Sequence, residues 1–241
     1  MVTSASPSVP PPSLTPLHWV RPPRQVRSQK TLERVLDAAE EVIAERGVTA
    51  LTVAEVVRRA GSSVGAFYAR FQDKDSLLAT LHERSCSEAL ATAELALHPA
   101  RWGSKDLRVI VSEVVRFTVS LCEERRGLLL AFIALAAADP AYAERRANLE
   151  SQIAALLYEF LRAREREVSH PDLRTAAHVA IRMMLATAEY GALIRRQSPG
   201  EPELSDDRIA TELARAVLSY LGSELDSPAP SSGSMRGRRA P

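Results

Sequence analysis

The sequence predicts an all-α protein, with a three-helix helix-turn-helix head and a helical bundle behind it. Three observations carry this. Apolar residues recur at helical spacing in segment after segment between Thr31 and Leu221, and alternating β-branched runs are scarce. Hydrophobic residues make up 46% of the chain but aromatics only 5%, so Leu, Val, Ile and Ala have to build the core, a composition that favours helices. Thr52–Phe71, TVAEVVRRAGSSVGAFYARF, reads as two short helices joined at a glycine.

Residues 1–26 are rich in Pro and Ser and predict a disordered arm. Thr31–Gly47 carries Leu32, Val35, Leu36, Ala39, Val42 and Ile43 along one stripe and stops at glycine. Thr52 and Glu55 form a T-x-x-E capping box for a helix that buries Val53, Val56, Val57 and Ala60. Gly61 supplies the left-handed turn, and Ser62 or Ser63 caps the next helix, VGAFYARF. Asp73 is the predicted N-cap of a helix from Lys74 to about Leu97, closed by His98-Pro99.

Lys105–Glu124 is amphipathic, whereas Leu128–Ala138 is apolar almost all round and predicts a central, buried helix. Asp139-Pro140 starts a helix running to about Val168, and His170-Pro171-Asp172 starts another to about Gln197. After a loop at Pro199–Pro202, Ser205–Leu221 forms the last helix, and residues 223–241 predict a second disordered tail. The expected division is therefore an arm (1–26), a head (27–81), a helical domain (82–222) and a tail (223–241).

The 241 residues carry a net charge of +1, which neither requires nor forbids a nucleic-acid partner, since a local basic face suffices. Cys86 and Cys122 read as reduced, buried thiols, and no signal pattern or run of roughly 20 apolar residues appears, which predicts a cytoplasmic protein with no membrane partner. No catalytic constellation, phosphate loop or cofactor fingerprint stands out, so neither an enzyme nor a cofactor is expected. His82 and Cys86 lie one helical turn apart, a metal-ligand spacing, but lack further ligands nearby, so no metal site is expected.

If the head binds DNA, its contacts divide into those that position and those that specify. Thr52, at a helix start, and the phenol of Tyr68 suit phosphate oxygens, and Arg70 lies on the more exposed side. Base readout falls to Ser62, Ser63, Val64, Gly65 and Ala66, which include none of the side chains that pair bidentately with guanine or adenine. Readout therefore leans on thymine methyls and DNA shape. Phe67 and Phe71, four residues apart, face the core. Upstream, Arg21, Arg24, Arg27 and Lys30 form a basic approach that either enters a minor groove or is a solvated linker.

From Thr31 to Leu81, the helix ending in ERG, the T-V-A-E start, the A-G-x-S turn, G-x-F-Y-x-x-F and D-K-D-x-L-L follow in order. This order resembles the DNA-binding domain of the TetR family of transcriptional regulators. Val64 departs from it, since many members carry lysine there. The resemblance implies a phosphate-binding role for Lys74 and a homodimer on a double-stranded palindromic operator. It also implies a variable C-terminal domain holding a small-molecule effector, for which Glu113, Cys122, His178, Met184 and Tyr190 are the candidate pocket residues.

In the family the last two long helices, here about 171–197 and 205–221, pair across the dimer. Their stripes (Ala177, Ile181, Met184, Leu185, Ala188; Ile209, Leu213, Ala216, Val217, Tyr220) serve either that contact or the internal core. The implied function is a repressor released by its effector. An activator or effector-independent regulator of the same fold, and a helical protein-interaction module, are the alternatives.

Overall fold

The computed structural model describes residues 26–193 and 205–223; the two terminal tails and the loop at Pro199–Pro202 lie outside the described residues. Within them the chain forms α1 (Val26–Arg46), α2 (Val53–Arg59), α3 (Val64–Tyr68), α4 (Lys74–Ala96), α5 (Pro99–Trp102), α6 (Leu107–Glu124), α7 (Arg126–Ala138), α8 (Pro140–Arg162), α9 (Leu173–Leu193) and α10 (Asp206–Leu221), with no strand. No helix among the described residues is long and apolar enough to cross a membrane.

Two hydrophobic clusters organise these helices. The first joins α1, α2, α3 and the first turns of α4 around Val42, Ile43, Phe67, Phe71 and Leu77. The second joins α6, α8, α9 and α10 around Leu107, Ile110, Phe160, Ile181 and Leu218, with Trp102 of α5 at its edge. α7 does not run through the centre of the bundle as its composition predicts. Only Leu128 and Ala131 are buried, and both belong to the first cluster, while Leu130 is exposed. The helix lies across the junction because Gly127 lets it press against the backbone of α1 at Ala44.

α1 begins five residues earlier than the stripe alone predicts, since nothing between Val26 and Lys30 breaks a helix. α8 ends at Arg162, short of the expected Val168, and the chain passes into a 3₁₀ turn at Glu165–Glu167. The break has a tertiary cause. Arg164 donates to the carbonyls of Lys105 and Gly103 at 2.8 and 3.1 Å, and Glu167 accepts from the Leu107 N–H at 2.8 Å, capping the start of α6.

The stripes offered for dimer contact are largely internal. Ala177, Ile181, Met184, Ala188, Leu213 and Val217 are all buried within the one chain, Leu185, Ile209 and Tyr220 are partly buried, and Ala216 is exposed. α1 and α4 are further joined by charge. Arg84 of α4 pairs with Asp37 at 2.6 Å, Glu40 at 2.7 Å and Glu33 at 3.5 Å, all on α1. Glu88, one turn on, lies 3.7 Å from Arg84 and 2.8 Å from Arg125 at the end of α6.

Candidate nucleic-acid interface and internal chambers

Capping residues set the outer face of the head. Thr52 caps α2, its hydroxyl oxygen accepting from the Glu55 N–H at 3.2 Å, which leaves its O–H to donate outward. Glu55 does not complete the box. Its carboxylate instead gathers Arg46 at 2.7 Å, Arg58 at 2.7 Å and Arg59 at 3.1 Å. Arg59 also pairs with Glu45, so the network fixes α2 to the end of α1. Gly61 has φ +55°, the left-handed turn its position requires. Ser63, not Ser62, caps α3, accepting from the Ala66 N–H at 3.1 Å. Asp73 and Ser76 form a reciprocal capping box at the start of α4.

These caps leave Ser63, Val64, Gly65 and Tyr68 exposed on one end and side of α3, with Ser62 and Ala66 half-buried beside them. Val64 is 50% and Tyr68 52% exposed, high values for large apolar or aromatic side chains and suited to a surface that meets a partner. A Cβ built on Gly65 meets nothing within 4 Å, so that backbone is open to close approach. Thr52 is exposed and Lys74 half-buried in the first turn of α4. Phe67 and Phe71 are buried with ring centroids 5.1 Å apart, as their spacing predicts. Arg70 folds back, donating to the Ala66 carbonyl at 2.9 Å at the end of α3. Arg27 lies in the first turn of α1 and Lys30 is exposed in the same helix, whereas Arg21 and Arg24 lie outside the described residues.

Hydrogen bonds from Arg58 and then Arg59 hold the Glu55 carboxyl down to about 2, and the Arg59 hydrogen bond lowers Glu45 below its ordinary value. A carboxylate depressed in the folded state adds stability above its unfolded value, and that stability disappears as pH falls through the folded one. The α1–α2 junction is therefore expected to loosen as pH falls from about 4.5 towards 2, followed by circular dichroism. Glu55→Gln should weaken that acid dependence; an identical acid transition in the variant would count against the network.

Behind the head lie two adjoining chambers. The inner one, of about 130 Å³, lies between α4, α6, α8, α9 and α10 and is walled by residues such as Ile110, Leu157 and Met184. The outer one, of about 220 Å³, reaches His82, Cys86, Cys122, Arg146 and Glu189 and touches α7 at Leu128 and Phe132. Of the sequence-level pocket candidates, Cys122 and Met184 line these chambers. Glu113, His178 and Tyr190 do not: all three are exposed, and Glu113 pairs with Lys105 at 3.0 Å. His82 and Ser85 were not singled out by sequence as pocket residues, because a lone polar side chain on a helix carries no mark of a cavity.

Burial, with Arg145 and Arg146 nearby, pushes His82 down to about 4, and burial pushes both thiols up to about 11. His82 is therefore neutral, with Nε2 3.7 Å from the Cys86 sulfur and its ring against Phe132 and Tyr142. Among the described residues no cluster of three or more potential ligands is placed to hold a metal ion.

Known proteins match on both halves. The profile of bacterial regulatory proteins of the tetR family matches residues 35–81, and that of the tetracyclin repressor-like C-terminal domain matches residues 106–221. The HTH-type transcriptional regulator AcrR of Shigella flexneri is 33% identical over 108 residues, 44% of this chain and 49% of the relative. An HTH-type transcriptional regulator of Mycobacterium bovis is 26% identical over 189 residues, 77% of this chain and 92% of the relative. The chain spans about half the length of the first curated relatives it matches. The fold is similar to that of the Bacillus subtilis regulator FadR solved with stearoyl-CoA, with a TM-score of 0.60 at 17% identity, covering 78% of this chain and 98% of that one. A helix-turn-helix with an open recognition edge, set on a helical body and matched by both profiles, leads to one assignment: the chain belongs to the TetR family of DNA-binding transcriptional regulators.

Proposed function

We propose that this regulator is a homodimeric repressor that places two copies of α3 in successive major grooves of a palindromic operator and leaves DNA when a small molecule occupies its chambers. The observation that carries the reading is the open Ser63–Gly65 edge of α3, flanked by Tyr68, Thr52 and Lys74. In this reading Thr52, Tyr68 and Lys74 hold phosphates, with Arg27 approaching from α1. Ser62, Ser63, Val64, Gly65 and Ala66 face the bases, and Arg70 positions α3 from behind. Residues 27–81 bind DNA and residues 82–222 bind effector and partner, although α4 and α7 bridge the two. Dimerisation uses the outward faces of α9 and α10, where Ala186, Thr187, Tyr190 and Ala216 are exposed.

The chambers support the effector half of the reading, as does the ligand bound by FadR. Cys122 and Met184 are the pocket candidates kept from the sequence, joined by His82 and Ser85. An effector shifts the protein off DNA only by binding the released state more tightly than the operator-bound one.

Selection of genomic fragments on the purified protein is expected to enrich palindromes with half-sites about 34–36 Å apart or somewhat wider. Enrichment of no sequence, or of single half-sites, refutes the dimeric-operator reading. On such a site Val64→Ala is expected to relax preference at one thymine in each half-site, read from binding to systematically mutated operators. Gly65→Ala should raise stability by about 0.5–1 kcal/mol, because alanine favours helix. The same change should weaken operator binding about tenfold by placing a methyl where the backbone approaches DNA. Melting curves and fluorescence anisotropy separate the two effects; unchanged affinity would mean that Gly65 does not face the groove.

A further inference from the structure

The wall of the inner chamber is apolar. Apart from Thr92 and Thr118, no side chain that lines it carries a hydrogen-bonding group of ordinary strength. Those two hydroxyls donate to carbonyls of their own helices, Glu88 at 2.7 Å and Val114 at 2.9 Å, so neither offers a proton to a ligand. A water molecule needs about two to four polar partners to stay in a cavity, and this wall does not supply them.

The space exists because one side of it is short of side-chain volume. Ala89, Thr92, Ala93 and Ala96 recur at helical spacing on α4 and form one wall, and Val114, Phe117 and Leu121 of α6 form the next. α4 packs chiefly against α8 and α1, and α6 against α10 and α9, so the gap between α4 and α6 stays unfilled. Phe117 lines the chamber yet is 47% exposed, which puts its ring at the boundary with solvent. Protein interiors keep few voids larger than water, because atoms around an empty space lose dispersion contacts. A dry space of about 130 Å³ is therefore matched by an apolar guest, and its size says how large. An engineered apolar cavity of about 150 Å³ in another protein takes up benzene.

We infer that the effector carries a compact apolar group of about six carbon atoms, such as a phenyl or cyclohexyl ring, which the inner chamber takes up between α4 and α6. Ala93 and Ala96 set the size of that group, since a larger side chain at either position fills its place. The two chambers share walls such as Leu121, Ile153 and Leu185, so the rest of a larger molecule continues into the outer one. The inference rests on the effector reading proposed above.

The test uses benzene and pyridine, which have one shape and differ by a single ring atom, a C–H against a nitrogen that accepts hydrogen bonds. In calorimetric titration of the purified full-length protein at neutral pH, benzene is expected to bind about tenfold more tightly, because the pyridine nitrogen gives up water and finds no donor. Ala93→Leu and Ala96→Leu should each lower benzene affinity about tenfold or more with an unchanged circular dichroism spectrum; where one of them misfolds, the other decides. No binding of benzene, pyridine binding as tightly, or benzene binding undiminished in the folded leucine variants overturns the inference and leaves the effector reading to the outer chamber. Operator affinity, read by fluorescence anisotropy at saturating benzene, is expected to fall. Benzene bound as expected with operator affinity unchanged supports the chamber's apolar guest and overturns the effector reading.

Discussion

Phe67→Ala is expected to unfold the DNA-binding head while the C-terminal bundle stays folded. Phe67 is fully buried, its ring 5.1 Å from that of Phe71 and 5.3 Å from that of Tyr68, and it links α3 to the rest of the first cluster. Deleting a buried phenyl group costs about 3–5 kcal/mol, comparable with the whole stability of many small domains. None of its packing partners belongs to the second cluster, so the loss should stay local. Trp102 is buried in that second cluster and reports on it by fluorescence, best measured in a Trp19→Phe background. Urea denaturation should then show loss of helical circular dichroism well before the Trp102 transition, and no operator binding. If both signals shift together by the same amount, the two clusters form one cooperative unit and the expectation fails.

Gly127→Ala is expected to destabilise the protein by about 1–3 kcal/mol, although alanine is the better helix former by about 1 kcal/mol. A Cβ at Gly127 would lie 2.8 Å from Ala44 Cα, 3.2 Å from the Ile43 carbonyl oxygen and 3.3 Å from that of Ala44. All three are backbone atoms of α1, which cannot rotate aside as a side chain can. α7 has to move outward, taking Leu128 and Ala131 out of the first cluster. Thermal melting of the variant measures the net effect, and a raised melting temperature would mean that helix propensity outweighs the contact. The contrast with Gly65 is instructive, because there the same substitution meets open space.

Local chemistry was the most legible part of this sequence. Thr52, Gly61, Ser63 and Asp73 each adopt the cap or turn that their residue types require, because a cap depends on a few neighbouring backbone groups. What depends on distant neighbours was not legible. Nothing in the run Ala163–Glu167 breaks a helix; α8 stops before it because Arg164 holds the carbonyls of Gly103 and Lys105 and Glu167 accepts from the first N–H of α6, about sixty residues upstream. The apolar circumference of α7 implies burial, yet which helix it covers depends on the single missing Cβ at Gly127. The stripes on α9 and α10 read equally well as seam or core, since periodicity identifies a buried face without naming what buries it. The same limit hid His82 and Ser85, which acquire meaning only when α4, α6, α7 and α8 enclose a space beside them.

Arg84 gives the salt dependence of this protein a second origin. Its three partners on α1 include Glu33 and Asp37, whose side chains are 51% and 61% exposed and therefore within reach of added ions. Further along the same helix, the contact of Ala44 with Gly127 is steric and indifferent to ionic strength. Salt is thus expected to weaken the Arg84 pairs between α1 and α4 while leaving the Ala44 contact and the buried packing of Val35, Leu36 and Ala39 unchanged. A plot of operator affinity against salt concentration would then record two processes, the return of counterions to phosphate and the weakening of the Arg84 pairs. Dividing that slope by the value for one phosphate would count more contacts than the DNA provides.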